Sequence, residues 1–227
     1  MKRQLPNLVT FVQILLGFSA LGAVLNNASG LGAGILLLAL LADGLSGQLA
    51  RRHSSASDLG AELDALASLM AFGVSVMVLA FERSLRQLGP WGWAVAVAVA
   101  VSVALRLSRD NKNNPDWPLY QGLPVPAFGI SVALLASQSP DQPWLVAGVS
   151  LGMAALMLSP LRYARLSKRP LVQGSLGVAV LLAVFYTPFR AWFLSAVLLY
   201  TLFGSFFGFF GTLEAQARSG TRPRDKR

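Results

Sequence analysis

The sequence contains no cysteine, so disulfides and thiolate chemistry are excluded, and that absence leaves the compartment undecided. Charge is scarce, at 13% of residues, and it is one-sided, with 10 acids against 19 Lys and Arg. No polar stretch is long enough to bury a soluble core. The longest, SRDNKNNPDWPLYQG and LRYARLSKRP, read as loops. No internal repeat is evident. What is abundant is apolar side chain: 54% of the 227 residues are hydrophobic, far above the charge-rich balance of a soluble domain.

A bilayer crossing takes roughly 20 consecutive apolar residues. Runs of about that length lie at 8–25, 31–50, 60–81, 91–107, 143–158, 171–187 and 189–212, with a shorter one at 123–137. The chain therefore reads as an all-α integral membrane protein of about eight helices, one polytopic domain over 1–217 followed by a basic, disordered tail at 218–227. Leu8–Leu25 is too long for a signal peptide and lacks a small-residue cleavage site, so it stays as the first span. The alternating WAVAVAVAVAVSVAL run has strand-like composition, but an open strand cannot satisfy its backbone in lipid, and helix is expected.

The net charge of +9 is explained by topology rather than by nucleic acid. With eight crossings and a cytoplasmic N-terminus, only Arg83, Arg86 and Arg190 of the 19 basic residues fall outside. The tail SGTRPRDKR then lies beside anionic headgroups.

The acids are placed unusually. In DGLSGQLARRHSSASDLGAELDALASLM, Asp43, Ser46, Gly47 and Ala50 recur at spacings of one, three or four, on one face near the end of the second helix. Gly60, Asp64 and Ser68 recur every four at the start of the third. A carboxylate at membrane depth is costly unless it faces a polar cavity and a cation. Two converging acids form either a site for Mg²⁺, Mn²⁺ or Ca²⁺, which take hard oxygen ligands, or a pair neutralised by Arg51 or by protonation.

The full pattern resembles the signature of the CDP-alcohol phosphatidyltransferases, D-x2-D-G-x2-A-R-x8-G-x3-D-x3-D. It reads here Asp43, Ser46, Gly47, Ala50, Arg51, Gly60, Asp64 and Ser68, with every spacing kept and six of eight residues matching. LPNLVTFVQILLGF, LRLSR at 105–109, YQGLPVPA at 120–127 and MLSPLRYARLSK resemble segments of bacterial and archaeal phosphatidylserine synthases, so the resemblance covers most of the chain. It implies a helical bundle that moves a phosphatidyl group from CDP-diacylglycerol to a small alcohol, serine, with release of CMP. In that family four aspartates hold two divalent ions against the diphosphate, and the last is the proposed base toward the alcohol.

Carried over, Asp43 and Asp64 are metal ligands, while Ser46 stands at a second ligand position and Ser68 at the base position. A serine hydroxyl carries no charge and cannot accept a proton near neutral pH. Two carboxylates balance one divalent cation, so one Mg²⁺ or Mn²⁺ is expected rather than two. Glu62 lies about 200° around the helix from Asp64 and points elsewhere. Asp58 can reach the mouth of the site. His53, the one imidazole, sits in the turn, where a solvated or headgroup-facing role is favoured.

Gly47, Ala50, Arg51 and Gly60 match the positions that accommodate the nucleotide, although small residues also serve helix packing. Arg106, Arg109, Arg162 and Arg165 are expected to attract a substrate phosphate or headgroup, a role that topology alone also explains. Pro160 departs from the family loop, where a basic residue is expected. The expected partners are membrane lipid and CDP-diacylglycerol or another CDP-linked lipid; a homodimer is compatible, and nucleic acid is not expected. The expected setting is the cytoplasmic membrane of a prokaryote. Two functional readings remain: a CDP-lipid-binding pseudoenzyme whose transfer is lost or severely weakened, and an active transferase with an altered metal site and base.

The partition of basic residues predicts that both termini face the cytoplasm. Tags at either end should be cleaved by protease only from the cytoplasmic side; a C-terminal tag cleaved from outside would overturn the eight-crossing topology.

Overall fold

The computed structural model describes residues 5–52, 58–110, 119–164 and 170–219, with backbone alone at 50–52, 58, 110, 119–121, 162, 164, 170–176 and 205–219. The described residues form a helical bundle: α1 (Leu5–Leu25), α2 (Ser29–Arg52), α3 (Asp58–Ser68), a π-helical segment (Leu69–Ser75), α4 (Val76–Arg83), a 3₁₀ turn (Leu85–Leu88), α5 (Pro90–Asp110), α6 (Val125–Gln138), α7 (Pro143–Leu158), α8 (Pro170–Phe185) and α9 (Phe189–Ser219). Two three-residue strands, β1 (Leu119–Gln121) and β2 (Arg162–Ala164), pair antiparallel with Tyr120 opposite Tyr163. Each expected apolar run falls on a helical stretch, and the alternating valine run is α5.

Among the described residues four stretches are long and apolar enough to cross a membrane: Leu5–Leu25, Ser29–Leu49, Leu59–Arg83 and Pro90–Arg109. Three shorter apolar helices accompany them, Val125–Gln138, Pro143–Leu158 and Phe189–Gly204. The protein is a multi-pass integral membrane protein. Helix α6 spans only about 21 Å at 1.5 Å per residue. Ten of its 14 residues are buried, so it forms part of the bundle interior rather than a lipid-facing span.

The packing logic is that of lipid rather than water. On α1 the buried residues are Pro6, Thr10, Gln13, Gly17, Ala20 and Val24, alternating steps of four and three, and most of them are small or polar. Leu8, Phe11, Leu15 and Phe18 are exposed on the other side. Lipid tails are as apolar as leucine, so large side chains gain nothing by turning inward, and small inner residues let helices approach closely. Gly17 is where this matters most: a Cβ there would lie 3.2 Å from the Ala71 Cα of the π-helical segment. Ser75 Oγ donates to the Gly17 carbonyl at 2.9 Å and lies equally close to the Met70 carbonyl five residues before it, tying the widened turn to α1.

At the end remote from the acids, the starts of α5, α7 and α9 expose Trp91, Trp93, Trp144 and Trp192, and Tyr186 is exposed just after α8. Amphipathic rings favour the membrane–water interface, so these ends mark one face of the bilayer. Arg190, at the same end, donates to the carbonyls of Ala183 (2.9 Å) and Gly30 (3.3 Å), which caps the last turn of α8 and ties it to α2.

At the opposite end the β1–β2 pair bridges two loops. Gly122 leaves β1 at φ +82°, and its N–H donates to the Leu161 carbonyl at 2.6 Å. The buried Tyr163 hydroxyl donates to the Thr201 carbonyl at 3.1 Å, anchoring β2 on α9.

A side chain at position 122 would meet the Met157 carbonyl, and the left-handed backbone costs a non-glycine residue about 1–2 kcal/mol on its own. Gly122→Ala should therefore lower the melting temperature of the purified protein by several degrees, read by the dispersion of intrinsic fluorescence on heating. A variant that melts with the parent would show that the strand pair does not constrain the fold.

Candidate functional site

Asp43 and Ser46 lie one turn apart near the end of α2, and Asp64 and Ser68 one turn apart on α3. Helices α2 and α3 are consecutive and both pack on α1, so the polar face of each turns toward the other and toward α1. Ser68 Oγ donates to Asp43 Oδ1 at 2.9 Å, and Ser46 Oγ to Asp64 Oδ1 at 3.1 Å. Ser46 Oγ also lies 2.9 Å from the Asp43 carbonyl. The expected convergence of positions 43, 46, 64 and 68 is therefore realised, and both serines are almost wholly buried.

A fifth member was not expected from the sequence. Gln13 of α1 is fully buried, and its Nε2 donates to Asp43 Oδ1 at 3.1 Å and lies 3.3 Å from Ser68 Oγ. Its Oε1 is buried and has no hydrogen-bond partner. The available signal was an amide in the middle of LVTFVQILLGF: a polar group at membrane depth asks for a partner, although its sequence position does not name one.

The remaining expected residues divide. Gly47 and Gly60 are half-buried within α2 and α3, and Glu62 is exposed. The backbones of Ala50 and Arg51 close α2, and that of Arg162 lies in β2, with all three side chains outside the described residues. His53, Arg165 and the tail beyond Ser219 also lie outside the described residues. Arg106 is buried, with only 1% of its surface exposed, and a Cβ on Gly122 would come within 3.3 Å of its Nε. Its neighbour Arg109 is exposed and donates to the Leu158 carbonyl at 3.0 Å, joining the ends of α5 and α7. Among the described residues no group of three or more His, Cys, Asp or Glu side chains is placed to hold a metal ion.

The sequence profile of the CDP-alcohol phosphatidyltransferases matches residues 3–161, about seven-tenths of the chain and all three helices of the polar cluster. The chain belongs to the CDP-alcohol phosphatidyltransferase family. It is 27% identical over 164 residues to the CDP-diacylglycerol–serine O-phosphatidyltransferase of Bacillus subtilis, covering 72% of this chain and 92% of the relative. The protein of that name from Helicobacter pylori strain 26695 is 29% identical over 191 residues, covering 79% of this chain and 78% of the relative. That of Mycobacterium tuberculosis strain H37Rv is 34% identical over 140 residues, covering 58% and 49%.

The family is generally dependent on a divalent metal. The donor chemistry of the cluster fits such an ion: two carboxylates, two hydroxyls and one amide, all of them offering hard oxygens and no sulfur or imidazole. In the arrangement described, both serine hydroxyls donate to carboxylate oxygens, so the donors that satisfy the acids are the groups that would yield to a cation.

Asp43 and Asp64 are brought together by Ser46, whose Oγ lies 2.9 Å from the Asp43 carbonyl and 3.1 Å from Asp64 Oδ1, and two acids so placed repel without a cation. Asp43→Asn should raise the melting temperature of the metal-free protein by a few degrees and abolish any rise produced by Mn²⁺. A Mn²⁺-dependent rise preserved in the variant would show that Asp43 takes no part in binding the ion.

Proposed function

We propose that this phosphatidylserine-synthase-like protein keeps a site for a CDP-linked lipid and a single divalent ion and has lost, wholly or in large part, the transfer of the phosphatidyl group. The observation that carries the reading is Ser68. In the reaction of this family the acceptor oxygen attacks the phosphatidyl phosphorus, the bond to CMP breaks, and the acceptor proton must leave. By the signature, position 68 is where that proton would go. Its hydroxyl cannot take up a proton near neutral pH and is already donating to Asp43. Losing a general base costs roughly 10² to 10⁴ in rate.

In this reading Asp43 and Asp64 hold the ion, Ser46 orients Asp64, and the two carboxylates balance one divalent charge. Such an ion, when bound, neutralises phosphoryl oxygens and stabilises the departing CMP. By the signature, Gly47, Ala50 and Gly60 are the positions that accommodate the nucleotide, and Arg51 is the residue matched to the diphosphate. Arg109, Arg162 and Arg165 attract the lipid phosphate or the headgroup. The burial of Arg106 beneath Gly122 supports a role beside the site rather than at its surface. Both termini are cytoplasmic, residues 1–217 form one membrane domain, and the basic tail rests on the inner leaflet.

One observation favours an active enzyme instead. Asp43 Oδ1 lies 2.9 Å from Ser68 Oγ, so a carboxylate stands next to the vacated base position.

Restoration separates the two readings. Ser46→Asp combined with Ser68→Asp should raise CMP release from CDP-diacylglycerol, serine and Mn²⁺ by about 10²-fold or more, with each single change giving much less, because ion and base act as one unit. Folding and Mn²⁺ loading are confirmed first, since four buried acids repel without metal. Strong release by the parent protein, abolished by Asp43→Ala, would establish the active reading. Strong release undiminished by Asp64→Ala would overturn the site assignment itself.

A further inference from the structure

We infer that the carboxamide oxygen of Gln13 is a ligand of the divalent ion, supplied by α1 in place of a carboxylate that α2 and α3 lack. The inference rests on the single-ion site proposed above. Gln13 is fully buried, its carboxamide lies against Asp43 and Ser68, and it belongs to neither helix of the signature. Its nitrogen is used and its oxygen is not: Nε2 points to Asp43 Oδ1 at 3.1 Å, while Oε1 is buried without a partner. A buried acceptor left unpaired is rare in a folded protein and calls for a ligand.

The metal-free orientation has a clear cause. Turning the amide over would set Oε1 against the anionic Asp43 Oδ1, oxygen facing oxygen. A cation beside Asp43 reverses that preference, because Oε1 then becomes attractive and the Nε2 hydrogens become repulsive. A rotation about the last side-chain bond exchanges the two atoms without moving the helix. An amide oxygen is an ordinary ligand for hard divalent ions. The resulting set is one amide oxygen from α1 with the carboxylates of Asp43 and Asp64. Gln13 adds no charge, so the single-ion balance is unchanged.

The test is Mn²⁺ binding to the full chain in lipid nanodiscs, read by electron paramagnetic resonance without substrate. Gln13→Leu should weaken Mn²⁺ binding about tenfold or more, whereas Gln13→Glu should restore or tighten it. Protein labelled with ¹³C at the glutamine carboxamide should show a Mn²⁺–¹³C hyperfine coupling that disappears in Gln13→Leu. That coupling requires direct approach, so a residue that only steadies Asp43 would not produce it, and it is measurable in the parent protein even if Gln13→Leu fails to fold. Parent protein that binds Mn²⁺ without the coupling, or with an affinity unchanged by Gln13→Leu, would overturn the Gln13 assignment and leave the site reading intact. Parent protein that binds no Mn²⁺ would overturn both.

Discussion

A carboxylate held at membrane depth must find its partners inside the protein, and Asp43 finds them on two other helices. Its Oδ1 accepts from Ser68 on α3 and from Gln13 on α1. In hydrocarbon the alternative to these bonds is an unsatisfied charge, which is why intramembrane acids are rare and face inward. The requirement fixes how α1, α2 and α3 meet. The Ser46–Asp64 bond adds a second crossing between α2 and α3 one turn nearer the helix ends.

Packing around this polar centre follows from the same solvent. With no hydrophobic drive between helices, closeness comes from small residues and hydrogen bonds. Gly17 and Ser75 bring α1 against the widened turn at 69–75, immediately after Ser68. A π-helical turn inserts one residue into the helical repeat, and such turns occur often at functional sites. Here it lets the stretch before it present Asp64 and Ser68 to the cluster while α4 beyond it packs on α5 and α6.

The two arginines at the end of α5 have surroundings that their sequence positions do not distinguish. Arg106 and Arg109 are three apart at the end of α5, and topology accounts for both. Yet Arg106 is enclosed, while Arg109 is exposed and spends a donor on the Leu158 carbonyl. Gly122, which follows β1, lies against the first of them, and the β1–β2 pair that holds it is anchored on α9 by Tyr163. An arginine at the end of a helix can thus be enclosed or left at the surface, depending on a loop residue 16 positions away.

By itself the sequence determined the properties that repeat locally. Apolar runs of bilayer length gave the helices, because backbone groups in lipid have no other way to be satisfied. The three- and four-residue spacing of Asp43, Ser46, Asp64 and Ser68 gave the cluster, because a helix turns once in about 3.6 residues and side chains so spaced share a face. Tertiary structure alone decided what depends on contacts between distant segments. Gln13 is 30 residues from Asp43, and no local period links them. The short α6 is an interior helix because other helices surround it, and buried Arg106 lies against Gly122, to which no local period links it. The repeat of one helix is written in consecutive residues; which neighbour its face meets is set by the packing of the whole bundle.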